Sequence, residues 1–182
     1  MNHLDRNFFK QNATELAPKL LGMTLCHVNS KGLRKTGIIV ETEAYMPDDP
    51  ACHASRGKTK RTLPMFEEGG MSYVYLIYGM YYCFNIVSGE KDSGQAVLIR
   101  ALEIPNYPHA KEAAGPGKLC RYLEITKEHN GILLAKENNL WLENSIIIPR
   151  FEIVTAPRIG ISAGKENLWR FYIKNNNSIS KK

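Results

Sequence analysis

The stretch MSYVYLIYGMYYCFNI, Met71–Ile86, decides how the rest of the chain is read. Five of the nine tyrosines fall between Tyr73 and Tyr82. From Ser72 to Ile77, β-branched and aromatic residues suit a strand covered on both faces. Alternation places Tyr73, Tyr75 and Ile77 on one side, and Val74 and Leu76 on the other. Tyr78-Gly79 interrupts the run, and Tyr81 to Val87 resumes it as a second strand. Gly79 supplies the positive φ of a tight turn, which predicts a β-hairpin with Tyr78 near its tip. Most rings in such a hairpin pack in a sheet. A ring at the tip is badly placed for a core and well placed to enter something else.

Upstream, Met23 to Asn29 and Leu33 to Tyr45 read as a strand pair around the turn Ser30-Lys31-Gly32. They follow a short helix opened by Asn12 and Glu15, interrupted by Pro18 and stopped at Gly22. The second strand, GIIVETEAY, carries Glu41 and Glu43 two residues apart, hence on one face, with Val40, Thr42 and Ala44 on the other. A carboxylate in an apolar strand is costly unless it is exposed, paired or used. Two solvated glutamates on an edge strand would explain the pattern equally well in isolation. The next segment argues against that.

Met46 to Gly70 is long, polar and irregular, and loops of this length in compact domains are usually functional or disordered. Arg56, Lys58, Lys60 and Arg61 put four positive charges in six residues. Such a run is either a solvated surface or a grip on phosphates. Downstream, Gln95 to Leu102 reads as a strand with Arg100 amid apolar residues, a cation in need of an anionic partner. Tyr107 to Ala114 and Lys118 to Leu123 read as short helices, the second opened by Gly115-Pro116-Gly117, which is either a phosphate-binding helix start or a mere turn. Short apolar pieces of Ile125 to Val154, such as ILLA, LWLE and SIIIP, read as closing strands, and Phe171-Tyr172-Ile173 as the last one. The tail NNNSISKK is polar and expected to be disordered, which gives one domain over 1–174 and a tail over 175–182.

Composition sets the class. At 182 residues, 43% hydrophobic and 23% charged, the chain is an ordinary single globule with room for a core. No apolar run is long enough for a bilayer and the N-terminus has no export pattern, so an intracellular protein is expected. Cys26, Cys52, Cys83 and Cys120 are scattered, which favours reduced core residues over a metal site. A net charge of +6 points weakly to a polyanionic partner.

VETEAY, HASRG, YVYLIYGMYYCFNI, VLIRALE, GPGKLC and a terminal RFYI occur in that order. Together they resemble the alkyladenine (3-methyladenine) DNA glycosylase family, from about Phe8 to Ile173. The resemblance implies a mixed α/β (α+β) single domain: a curved antiparallel β-sheet with peripheral helices and a projecting hairpin. It implies a monofunctional base-excision repair enzyme without cofactor or metal, acting as a monomer on damaged double-stranded DNA inside the cell. Its substrates would be alkylated purines of the 3-methyladenine kind, with deaminated or etheno adenines within range.

By resemblance, Glu43 is the general base and Arg100 stands beside the water and the flipped nucleotide's phosphate. Tyr45, His53 and Tyr75 cage the extruded base, Asn85 crowds the purine edge against guanine, and Leu98 is a pocket wall. Tyr78 is the intercalating residue. Arg56, Lys58, Lys60, Arg61 and Lys118 are candidates for the DNA backbone. Two other readings compete: a non-catalytic binder using the tyrosines as a stacking platform, and a glycosylase-lyase with a Schiff-base lysine. An acid beside an aromatic cage is a liability in a mere binder, and no lysine has the apolar setting a Schiff base requires.

Overall fold

The computed structural model describes residues 4–107, 109–144 and 146–181. Its strands are β1 (Thr24–Val28), β2 (Arg34–Tyr45), β3 (Ser72–Ile77), β4 (Tyr81–Ser88), β5 (Gln95–Glu103), β6 (Leu140–Glu143), β7 (Ile153–Ala156) and β8 (Arg170–Ile173). Among the described residues two α-helices, α1 (Ala13–Lys19) and α2 (Pro116–Leu123), and several short 3-10 turns complete the regular structure. The strands form one curled antiparallel sheet in the order β3-β4-β5-β2-β1-β6, with β8 added against β2 and β7 against β8. This is the expected single-domain mixed α/β architecture around a curved antiparallel sheet.

Both helices cover the same side of the sheet. Leu16 and Ala17 of α1 and Leu119, Cys120 and Leu123 of α2 join Leu25, Ile39, Phe84, Ile86, Val97 and Ile99 in one buried cluster. The Asn12 side chain makes no cap bond; Gln95 Oε1 accepts from Ala13 N–H at 2.8 Å and does the capping from β5. A second cluster, with Cys52, Ala54, Met65, Tyr73, Val87 and Ala96, forms around the long loop, and Tyr45 and Tyr75 pack on it. The core is thus built on one layer of helices and one of loop.

Strand β2 does not keep strict alternation. Its register against β5 shifts between Ile39 and Glu41 and again between Glu41 and Thr42. As a result Ile39 and Ala44, an odd number of residues apart, share the helix-side core, while Val40 packs instead with Ala101 and Ile179. The expected grouping of Val40 with Thr42 and Ala44 is therefore corrected. A bulge inserts one residue and reverses the phase of everything beyond it. Here it lets Ile39 reach the core and Glu43 leave it.

Three other expectations are revised. The expected helix from Tyr107 to Ala114 is absent among the described residues: 110–113 are turns and Ala114 is an isolated bridge (Pro108 lies outside the described residues). Ala113 and Ala114 there extend the edge of β5, with Leu102 N–H bonding to Ala113 O and Ala101 bridged to Ala114. Of the pieces expected as closing strands, 132–135 makes only isolated bridges, and Ile146, Ile147 and Ile148 form no strand (Ser145 lies outside the described residues), Ile147 being almost wholly exposed. The tail expected to be disordered is packed: Ser178 and Ile179 are buried, Ile179 at 1% exposure. Composition misleads there because one buried isoleucine and a few specific hydrogen bonds, from side chains as well as backbone, hold it.

Candidate active site

A single cross-strand row organises the site. Arg170 of β8 pairs with Glu43 of β2, Glu43 with Leu98 of β5, Leu98 with Asn85 of β4, and Asn85 with Tyr73 of β3. Residues directly opposite one another on antiparallel strands present their side chains to the same face. Five strands thus bring together residues distant in sequence, and the next positions along β5 and β3 add Arg100 and Tyr75.

The row faces a cavity of about 520 Å³ lined by Tyr45, His53, Tyr75, Asn85, Leu98 and Arg100 among others. All six were expected at one site. The His53 ring lies 4.6 Å from that of Tyr75, near edge-on, and its Nδ1 is 2.9 Å from Tyr73 Oη. Burial, and secondly the charge of Arg61, hold His53 below its ordinary pKa, so its ring is neutral at pH 7. Asn85 Nδ2 donates to Tyr73 O at 3.0 Å, which fixes its amide.

Glu43 is 0% exposed and stands behind the cavity wall rather than on it. Three wall groups reach it: Tyr45 Oη donates to Oε2 at 2.8 Å, Ile159 N–H to Oε1 at 2.7 Å, and Arg100 Nη1 lies 3.3 Å from Oε1. Burial first, and then the Glu43 charge, push the Tyr45 phenol well above its usual range and keep it a donor. Arg100 Nε also lies 3.4 Å from Glu41 Oε1, so one buried guanidinium spans both carboxylates. The anionic partner that Arg100 required is this pair.

Tyr78 sits at the hairpin loop Tyr78-Gly79-Met80, between the paired Ile77 and Tyr81. It is 87% exposed and has φ of 51°, while Gly79 has φ of 70°. A tyrosine held at positive φ without burial gains neither backbone comfort nor packing. The basic residues are spread out. Lys58 pairs with Asp92 and lies over Phe66, Arg56 and Lys60 are exposed, and Lys118 Nζ donates to Lys111 O at 3.4 Å. Arg61 departs from that group: it lines the cavity, its Cζ 5.3 Å from the Tyr75 ring centroid.

Comparison with known proteins then decides the family. The sequence profile of methylpurine-DNA glycosylase (MPG) matches residues 7–177. A protein of Clostridium botulinum (strain Alaska E43 / Type E3) is 43% identical over 203 residues, covering 98% of this chain and 99% of its own. Proteins of Ehrlichia chaffeensis and of Wolbachia sp. subsp. Brugia malayi are each 47% identical, covering 93% of this chain and 92% and 96% of their own. All three bear the name "Putative 3-methyladenine DNA glycosylase".

The chain belongs to the methylpurine-DNA glycosylase family. It is a DNA glycosylase for alkylated bases, a hydrolase acting on N-glycosyl bonds. Among the described residues no helix is long and apolar enough to cross a membrane.

Sequence reasoning missed part of this glycosylase's site. The segment Ile159 to Ser162 lines the cavity and gives Glu43 a backbone donor. Arg158 lies against Tyr45 and Trp169, its Cζ 4.7 Å and 5.1 Å from their ring centroids, and is paired with Asp49. Arg170 donates from Nη1 to Glu41 Oε1 at 2.9 Å. The signal for Arg170 was available: it precedes FYI as a lone cation beside an apolar run, the same pattern that singled out Arg100. Ile159 acts through its backbone, which no side-chain pattern reveals.

Proposed function

We propose that this glycosylase flips alkylated purines out of duplex DNA into the Tyr45–His53–Tyr75 cage and hydrolyses the N-glycosidic bond with water activated by Glu43. The observation that carries the reading is a buried carboxylate held by Tyr45, Ile159 and Arg100 directly behind an aromatic cavity. A base stacked in a duplex cannot meet such a group, so it must be extruded. Purines alkylated on a ring nitrogen are electron-poor or cationic, and tyrosine faces favour them by about 0.5–2 kcal/mol. A neutral His53 adds no opposing charge.

In the reaction the C1′–N bond breaks with its electron pair leaving on the base, through an oxocarbenium-like state. Water adds to C1′ and gives its proton to Glu43, whose Oε2 accepts only the Tyr45 hydroxyl among the described groups and keeps a lone pair. Arg100 holds the carboxylate in place and faces the cavity where a nucleotide phosphate would lie. Asn85 and Leu98 shape the purine edge. Arg56, Lys58, Lys60 and Lys118 supply positive charge for the DNA backbone, and the enzyme works as a monomer at the DNA within the cell. Incubating the protein with alkylated duplex should release free modified base. Tight binding without release would favour the stacking platform instead.

Tyr78 is the wedge in this reading, supported by its exposure and its costly backbone conformation. Flipping costs a few kcal/mol, least for a mismatched base. Tyr78→Ala should therefore impair excision from a well-paired lesion about tenfold more than from a mismatched one, equivalent to about 1.4 kcal/mol. Excision rates on paired and mismatched substrates, beside a melting curve, check this. Equal losses on both with intact folding would exclude the wedge.

A further inference from the structure

We infer that the C-terminal segment Asn176–Lys181 is a positioning strap for the reaction, with Ser180 aiming Arg100 at Glu43. The inference rests on the reading of Glu43 and Arg100 just given. The strap leaves β8 and turns back under the sheet: Asn176 Nδ2 donates to Glu103 Oε2 at 2.5 Å and Lys111 Nζ to Ile179 O at 2.6 Å. Ile179 is buried against Val40 and Ala101, the neighbours of the β2 bulge. That anchor delivers Ser180 to the pair of buried glutamates.

At Ser180 both the backbone and the side chain are used. Its N–H donates to Glu41 Oε2 at 2.6 Å, and its Oγ accepts from Arg100 Nε and Nη2 at 3.4 and 3.3 Å. The next carbonyl, Lys181 O, accepts from Arg170 Nη1 at 2.9 Å, the same nitrogen that serves Glu41. These contacts divide the donors of Arg100. Nε and Nη2 face the hydroxyl, Nε lying equally near Glu41 Oε1 at 3.4 Å, and Nη1 lies 3.3 Å from Glu43 Oε1. Glu41 meanwhile has an amide of its own at Oε2 and Arg170 at Oε1, so it does not draw the whole Arg100 fork to itself.

Buried carboxylates and guanidinium groups rearrange when one partner is lost, because none of them tolerates an unpaired charge. Without the Ser180 hydroxyl, the low-energy alternative is a bidentate Arg100–Glu41 pair, which is the favoured geometry for such groups. That geometry would turn Nη1 away from Glu43. Ser180 would thus affect the chemical step through Arg100, without touching the DNA.

The test is single-turnover excision from an alkylated duplex, with duplex affinity measured alongside, for Ser180→Ala, Ser180→Thr, Arg100→Ala and the Ser180→Ala/Arg100→Ala double variant. Ser180→Ala should slow excision about 10-fold or more at unchanged duplex affinity, since small misplacements near a reacting centre cost up to about 10²-fold. Ser180→Thr, which keeps a hydroxyl, should restore most of the rate. On the Arg100→Ala background, Ser180→Ala should cost nothing further, because two residues acting through one contact are not additive. A loss below about threefold, or a loss of equal size on both backgrounds, would overturn the strap. Glu43→Gln is measured in the same series: full excision by that variant would remove the reading of the chemistry itself, whereas its loss beside an active Ser180→Ala would remove only the strap.

Discussion

Glu43→Gln should bind damaged duplex as the wild type does while base release falls by about 10²-fold or more. Glutamine preserves the size of the side chain and can still accept from Ile159 N–H, so the cavity wall keeps its shape. It cannot take a proton from water, and it leaves Arg100 with Glu41 alone as its counter-charge. Binding should be retained because Glu43 is buried behind Tyr45, Ile159 and Arg100 and is not itself a contact for the base. Single-turnover rates with duplex affinities measured on the same preparations check both halves. Excision at the wild-type rate would show that another group handles the water.

The second large effect is on stability. Asp49 and Arg158 side chains are both 0% exposed and paired through two hydrogen bonds, one of them Arg158 Nη2 to Asp49 Oδ1 at 3.0 Å. Arg158 also donates to Ala44 O at 3.0 Å and Gly164 O at 3.2 Å, tying the end of β2 to the segment that covers Glu43. Asp49→Ala leaves this guanidinium buried without its counter-charge, and should cost about 3–5 kcal/mol. For a chain of this size that is roughly 6–20 °C in Tm. Asp49→Asn keeps a hydrogen-bond acceptor and should cost less. A melting curve that moves by under about 2 °C for Asp49→Ala would mean that solvent, not Asp49, satisfies Arg158. Because the guanidinium also supports the Tyr45 ring, excision by Asp49→Ala should fall even at temperatures where it stays folded.

Much of this site is legible from single residues, and the reason is chemical. Glu43 and Arg100 are charged groups in apolar strands, where only a partner or a use explains them. Tyr73 to Ile86 gives the hairpin its strands and its turn because β-branched and aromatic residues, with Gly79 between them, admit little else. Features that depend on register are not legible. A period-two reading of GIIVETEAY puts Val40 with Thr42, and nothing in the letters marks the bulge that moves it to the other face. Backbone donors are invisible for the same reason, which hides Ile159 and half of what Ser180 does. The helix expected over 107–114 fails because Ala113 and Ala114 satisfy open positions on β5. Local propensity had no knowledge of that edge.

The claim on which the rest depends is that water, activated by Glu43, breaks the glycosidic bond without any covalent protein–DNA intermediate. Product analysis of one alkylated duplex, incubated with the wild-type protein with and without borohydride, tests it most directly. The account predicts free modified base, an uncut strand carrying an abasic site, and no adduct on reduction. A reduced protein–DNA adduct, or a strand already cut, would contradict it and assign the chemistry to a lysine.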